Sequence, residues 1–222
     1  MEMSRRGTAV LGAWIVGLVL VASAGATVQD DPPPLDAVVL TAKQAGPGYT
    51  RYTMRGGRQV QGQVTLDFCG GGYASEAQRL RRFQTIYATQ AAGGVQLSNE
   101  VVRYAPGGAA RALREVARRV RTCPRTLVQS PVPGNGTERY LSVELLHDRE
   151  LLAGSVAIRM TVETTSDGQK VRRQIIAIYQ RHGNFLSGVY ASLGTAPTRL
   201  AVALHAAHAS ADNLLRSDQQ TA

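Results

Sequence analysis

The chain has 222 residues, with 25 Lys and Arg against 16 Asp and Glu, a formal charge of +9. That length supports one domain with a real core, and no stretch marks a boundary that would split it in two. The charge is almost all arginine, Lys43 and Lys170 being the only lysines; it points to anionic lipid headgroups or wall polymers as neighbours, and the export signal at the start of the chain argues against nucleic acid.

Residues 1–26 read as a secretory signal. Arg5 and Arg6 precede the almost wholly apolar run 8–22, and two A-x-A sites follow, Ala22-Ser23-Ala24 and Ala24-Gly25-Ala26. That order of basic, apolar and small residues is the pattern of an export signal. The run is short for a membrane anchor, since a span takes about 20 residues. Gly7 and Thr8 stand where a twin-arginine signal would place apolar residues, so that route is disfavoured. Residues 27–34 form a polar, Pro-stiffened spacer. The domain is expected over residues 35–216, with a polar tail at 217–222 and a secreted location.

Residues 35–43 open the domain and end in the turn Ala45-Gly46-Pro47-Gly48. Residues 60–68 alternate, with Val64, Leu66 and Phe68 on one face of an expected strand. Gly70, Gly71 and Gly72 break it, and Ser75 with Gln78 reads as a capping box for a helix over 76–91, whose apolar side is Ala77, Leu80, Phe83, Tyr87 and Ala91. A strand follows over 95–104, then Pro106-Gly107-Gly108 and a helix over 109–122 with Leu113, Val116, Ala117 and Val120 toward the core. After the turn at 134–136, residues 139–146 alternate with Leu141, Val143 and Leu145 inward. Val156, Ile158, Met160 and Val162 form the next strand, Asp167-Gly168 signals a hairpin, and strands over 171–181 and 185–191 complete a four-strand antiparallel meander. Pro197 starts a last helix, with Leu200, Leu204, Ala207, Ala211 and Leu215 on one side. The order strand, helix, strand, helix, meander, helix implies an α+β fold, a mainly antiparallel sheet with helices on one face.

Cys69 and Cys123 are an even pair in an exported chain, which favours a disulfide over two buried thiols. Closing the loop between them would stabilise the fold by about 4 kcal/mol. No other Cys or His stands at ligand spacing, so a metal is not expected. His205 and His208 in HAAH lack both the i, i+4 spacing and the adjacent Glu of a zinc protease. Gly154-Ser155 lies in a strand pattern and not in a nucleophile elbow. Asp67 reads as a lone acid on a solvent face. The three glycines could cradle an anion at a helix start, but no Lys follows as in phosphate loops. Asn135-Gly136-Thr137 matches a glycosylation acceptor and more simply marks a loop. Arg111, Arg114, Arg118 and Arg121 share one side of the second helix with only Glu115 interspersed, a candidate contact for an anionic membrane or wall surface. No catalytic residues, cofactor or metal site are indicated.

The stretches TLDFCGGGYASEAQRLRRFQTIY and ALREVARRVRTCP, and the opening VVLTAKQAGPGY, resemble secreted actinobacterial proteins related to the extracellular sensor domain of the serine/threonine kinase PknH. The resemblance implies an α+β domain with a central antiparallel sheet and a cleft between sheet and helices that holds an unknown ligand. It implies two disulfides in the kinase sensor against the single one available here, and it carries over no catalytic residue. The expected function is a secreted, non-enzymatic binding or sensor-like module for a small molecule, lipid or wall component. The alternatives are a protein-interaction module using the sheet face and, third, an envelope-acting enzyme. A deep apolar pocket with converging polar groups favours the first; a flat sheet exposing Tyr140, Tyr179 or Tyr190 favours the second.

Overall fold

A computed structural model describes residues 34–219 except 92–93, 133, 135, 167 and 194–195. The signal segment, Asn135 of the acceptor motif and Asp167 of the hairpin lie outside these residues. Eight strands and four helices follow in chain order: α1 (Leu35–Val38), α2 (Ala42–Ala45), β1 (Thr50–Thr53), β2 (Arg79–Ala88), β3 (Gln96–Tyr104), α3 (Gly108–Thr122), β4 (Val128–Gln129), β5 (Thr137–Leu146), β6 (Val156–Ser166), β7 (Gln169–His182), β8 (Phe185–Ser192) and α4 (Ala196–Gln219). The strands form one antiparallel sheet in the order β1-β2-β3-β8-β7-β6-β5-β4. The α+β class and the antiparallel sheet are as the sequence led us to expect.

The helices are not confined to one face. Along β7, Ala177 and Tyr179 join the cluster under α3 with Val102, Tyr104, Ala112 and Val116. The intervening Ile176 and Ile178 pack beneath α4 with Leu97, Val189, Ala203, Ala206 and Ala207. A strand apolar on both sides must be covered on both sides, so α3 and α4 take opposite faces. The alanines of α4 let its backbone approach the sheet closely. Leu215, expected inward, is exposed, and α4 runs through Gln219, into the stretch read as a tail.

The helix expected over 76–91 is strand β2. Its helical spacing came from Leu80, which is the extra residue of a bulge between Arg79 and Arg81 and is exposed. Beyond the bulge Phe83 and Tyr87 alternate inward, and the aromatic and β-branched content of the segment suits a pleated surface. Ser75 caps nothing: it is buried, and its backbone N–H and hydroxyl donate to Glu115 Oε2 at 3.1 and 2.7 Å.

Residues 60–68 make no strand either. Leu66 and Phe68 are buried as their alternation required, but the backbone N–H groups of Thr65 and Leu66 donate to the Glu76 carboxylate at 3.1 Å each. Arg79 donates to the carbonyls of Val60 and Gln63 at 3.2 and 2.6 Å. Side chains thus satisfy the backbone where a ladder would have done so, and the segment lies as a roof over the sheet. Cys69 at its end is bonded to Cys123, past the end of α3, with Cα atoms 5.3 Å apart. The expected disulfide is present.

In β5, Leu141 and Leu145 are exposed and only Val143 packs inward. Tyr140 pairs with Val162 and Ser142 with Thr161, leaving Leu141 as a bulge. An extra residue reverses the alternation, so Glu138 and Tyr140 point inward before it and Val143 after it.

Candidate functional site

On the α3 face, α3 covers only one end of the strands. Beyond it lies a cavity of about 350 Å³, floored by Ser98 and Glu100 of β3, Tyr190 and Ser192 of β8, Arg173, Ile175 and Tyr179 of β7, and Met160, Val162 and Thr164 of β6. Glu138 and Tyr140 of β5 and Gln84 of β2 form side walls, and Val64, Thr65, Asp67 and Phe68 of the roof close it from above. The rings of Phe68 and Tyr140 meet edge to face at 5.7 Å, as do those of Tyr179 and Tyr190. Gly188 makes room for this wall: a Cβ there would lie 2.7 Å from the Tyr190 hydroxyl and 2.9 Å from its ring.

Three carboxylates converge on the cavity, in different states. Glu100 is 2% exposed; it accepts from the Arg82 guanidinium Nε and from Thr65 Oγ1 at 2.8 Å. Burial pushes its pKa up and the arginine pulls against it, leaving it above the usual range. Arg82, 4% exposed, also donates to the carbonyl of Gly56 at 3.1 Å and to Gln84 Oε1. Glu138 is 7% exposed and accepts from the Tyr140 hydroxyl at 2.7 Å. Asp67 receives no hydrogen bond or ion pair from another side chain among the described residues; burial together with the charges of Glu138 and Glu100 outweighs a bond from its own backbone and raises its pKa to about 7. The phenols of Tyr140, Tyr179 and Tyr190 are held far above their ordinary range, first by burial and then by charged or polar neighbours. They are protonated hydrogen-bond donors at any physiological pH.

The sequence placed Asp67 on a solvent face; it lines the cavity instead, and Glu100 and Glu138 were not singled out at all. Three elements distant in the chain bring them together, a juxtaposition without local periodicity. Tyr140 and Tyr179, whose exposure on a flat sheet would have favoured a protein partner, are buried.

The other residues singled out lie elsewhere. Arg111, Arg114, Arg118 and Arg121 are exposed on α3. Arg111 donates to Glu115 at 2.9 Å, while the other three have no acidic partner among the described residues. Burial alone would raise the Glu115 pKa, but the Ser75 hydrogen bonds and Arg111 outweigh it and hold the carboxyl below its usual range. The glycine run precedes a five-residue 3-10 helix and not a longer one. Gly71 has φ +70° with Pro131 Cβ 2.9 Å from where its own Cβ would be, and its carbonyl accepts from Arg119 at 2.6 Å. The run is a tight crossing. His208 faces Asp148 at 3.3 Å and Glu150 at 3.6 Å; His205 is exposed. No group of three metal-ligating residues with metal-site geometry occurs among the described residues, and no helix among them is long and apolar enough to cross a membrane.

Neither a protein-family model nor a curated protein matches the sequence. Solved structures do. The chain is similar to the extracellular domain of PknH from Mycobacterium tuberculosis. The match has a TM-score of 0.49 and 11% identity, and it covers 81% of this chain and 97% of that one. A second likeness is to the Rv0999 orthologue of Mycobacterium smegmatis, with a TM-score of 0.39 and 12% identity over 78% of this chain and 95% of that one. The first is the protein to whose relatives the sequence motifs had pointed.

Proposed function

We propose that the domain is an extracytoplasmic, non-enzymatic binding module that holds a small ligand in the cavity between the sheet and the 60–68 roof. The cavity itself carries this reading: it has the volume of a small-molecule site and joins apolar and aromatic walls to a few converging polar groups. The export pattern of residues 1–26 and the disulfide support the compartment. No His, Cys or Lys lines the cavity among the described residues, so no Ser–His, Cys–His or lysine-based arrangement is formed there. The arginines of α3 are proposed to rest against anionic headgroups or wall polymer while the cavity is occupied.

Ligand-detected NMR with a fragment set of cations, anions and neutral molecules tests the cavity, comparing wild type with Val162→Trp. The indole would fill the floor between Met160 and Thr164. Fragments that bind wild type and are lost in the variant are the expected result. Binding that persists unchanged in a folded V162W protein would place the site elsewhere and overturn the reading.

A further inference from the structure

We propose that the cavity takes a small organic cation, its ammonium or guanidinium group seated between Asp67 and Glu138 and its apolar part against Tyr140, Met160, Val162 and Tyr190. This rests on the cavity being the ligand site, and it names the ligand's chemistry.

The charge balance of the fold carries the inference. Several buried or half-buried acids have an arginine beside them: Glu76 has Arg79 at 3.3 Å, Glu115 has Arg111 at 2.9 Å, and Glu100, the third carboxylate of the cavity, has Arg82. For the other two carboxylates of the cavity this stops. Glu138, more than nine-tenths buried, is met by one neutral hydroxyl, which leaves its other carboxylate oxygen without a partner among the described residues. Asp67 is met by no side chain. Arg173, the one cation on the wall, is exposed at the rim and pairs with neither. An ionised carboxyl with restricted access to water and no counter-cation is costly, and folding does not require these two, because Asn and Gln have the same shapes. In a chain of +9 with arginines to spare, two uncompensated carboxylates beside a cavity are the signature of a charge supplied from outside. The tyrosine rings add faces that attract cations.

Around Asp67 stand Glu138 and Tyr140 from β5, Glu100 from β3, Tyr179 and Arg173 from β7, Tyr190 from β8, Thr65 of the roof, and, outside the cavity lining, Tyr73 and Glu76. The carboxylates among these favour its protonated form near neutrality. Cation binding therefore strengthens as pH rises from 6 to 8, where an alkylammonium keeps its charge and Asp67 loses its proton.

The test is calorimetric titration of the mature protein with 2-phenylethylamine and its neutral isostere 2-phenylethanol, at low salt and at pH 6 and 8. Wild type, Asp67→Asn, Glu138→Gln and the double variant are compared. The expected result at pH 8 is a preference of about tenfold or more for the amine, the worth of a charged hydrogen bond. The preference shrinks at pH 6 and is absent in the double variant. Equal affinity for the two probes, or a preference that survives D67N/E138Q, overturns the cation assignment. If the alcohol then still competes with fragments lost in V162W, the cavity reading stands. Binding of neither probe overturns the assignment as well, and the V162W comparison judges the cavity separately.

Discussion

The same strands, β3, β8, β7 and β6, meet two surroundings along one face. At one end Val102, Leu186 and Ile158 are sealed under Ala112 and Val116 of α3. At the other, Ser98, Glu100, Tyr190, Arg173 and Thr164 border open volume. Packing resumes on the opposite face without interruption, beneath α4. The difference teaches where stability and recognition are divided: the sealed end has the density and apolar area that hold a fold together, while the open end has buried charge that a fold would avoid if stability were its only constraint.

The comparison can be broken at its seams. The largest effect is expected from Arg82→Met, which leaves Glu100 buried without a cation and should cost about 3–5 kcal/mol in denaturant unfolding at pH 7. Much of this should return in Arg82→Met/Glu100→Leu. A loss below about 1 kcal/mol would show that water reaches Glu100 and that the open end is wetter than its geometry implies. Next, Cys69→Ala/Cys123→Ala unties roof from α3 and should cost about 2–4 kcal/mol. Unfolding with and without reductant checks it, since wild type plus reductant should match the variant.

Asp67→Asn should act in the other direction. The folded pKa of Asp67 lies above its unfolded value, so the folded state holds the proton more tightly. Stability from this group is complete below about pH 4 and is lost as pH rises toward 7. The variant should therefore be more stable than wild type by about 1–2 kcal/mol at pH 8, and equal to it at pH 4. An unchanged difference across that range would remove the titration of Asp67 from the account. The smallest effect on stability, within about 0.5 kcal/mol, is expected for Arg114, Arg118 and Arg121 changed together to Gln; adding Arg111→Gln should cost more, because Arg111 is bonded to the buried Glu115. The effect of the stripe should appear instead in co-sedimentation with anionic vesicles, present in wild type at low salt, weak at high salt and absent in the variant. Equal sedimentation of both would leave the stripe a solvated face.

Much of the sealed half was legible in the sequence. The i, i+3, i+4 apolar pattern placed α3, period-two runs placed β3 and β6 to β8, and the hairpin at Gly168 set a register in which Ser166 pairs with Gln169. The open half was not, for identifiable reasons. Arg82 is a charged residue at an inward position of β2, and it blurs the alternation that would have marked that strand. The roof borrows its hydrogen bonds from Glu76 and Arg79, so its alternating residues are buried without a ladder. Asp67 looked solitary because its neighbours come from β3 and β5, and only the strand order brings them near.

The bulge at Leu141 has a consequence for tolerated changes of length. With Leu141 removed, Glu138, Tyr140, Val143 and Leu145 would fall on one face by simple alternation, the face that the first two and Val143 already occupy. Loss of a single codon at this position therefore conserves both the cavity wall and the core. The same loss one step earlier, at Arg139, would turn Glu138 outward or drag Tyr140 off Val162. In β5, tolerance to deletion is concentrated at one residue, and a natural or engineered variant one residue shorter in this strand should have lost that one.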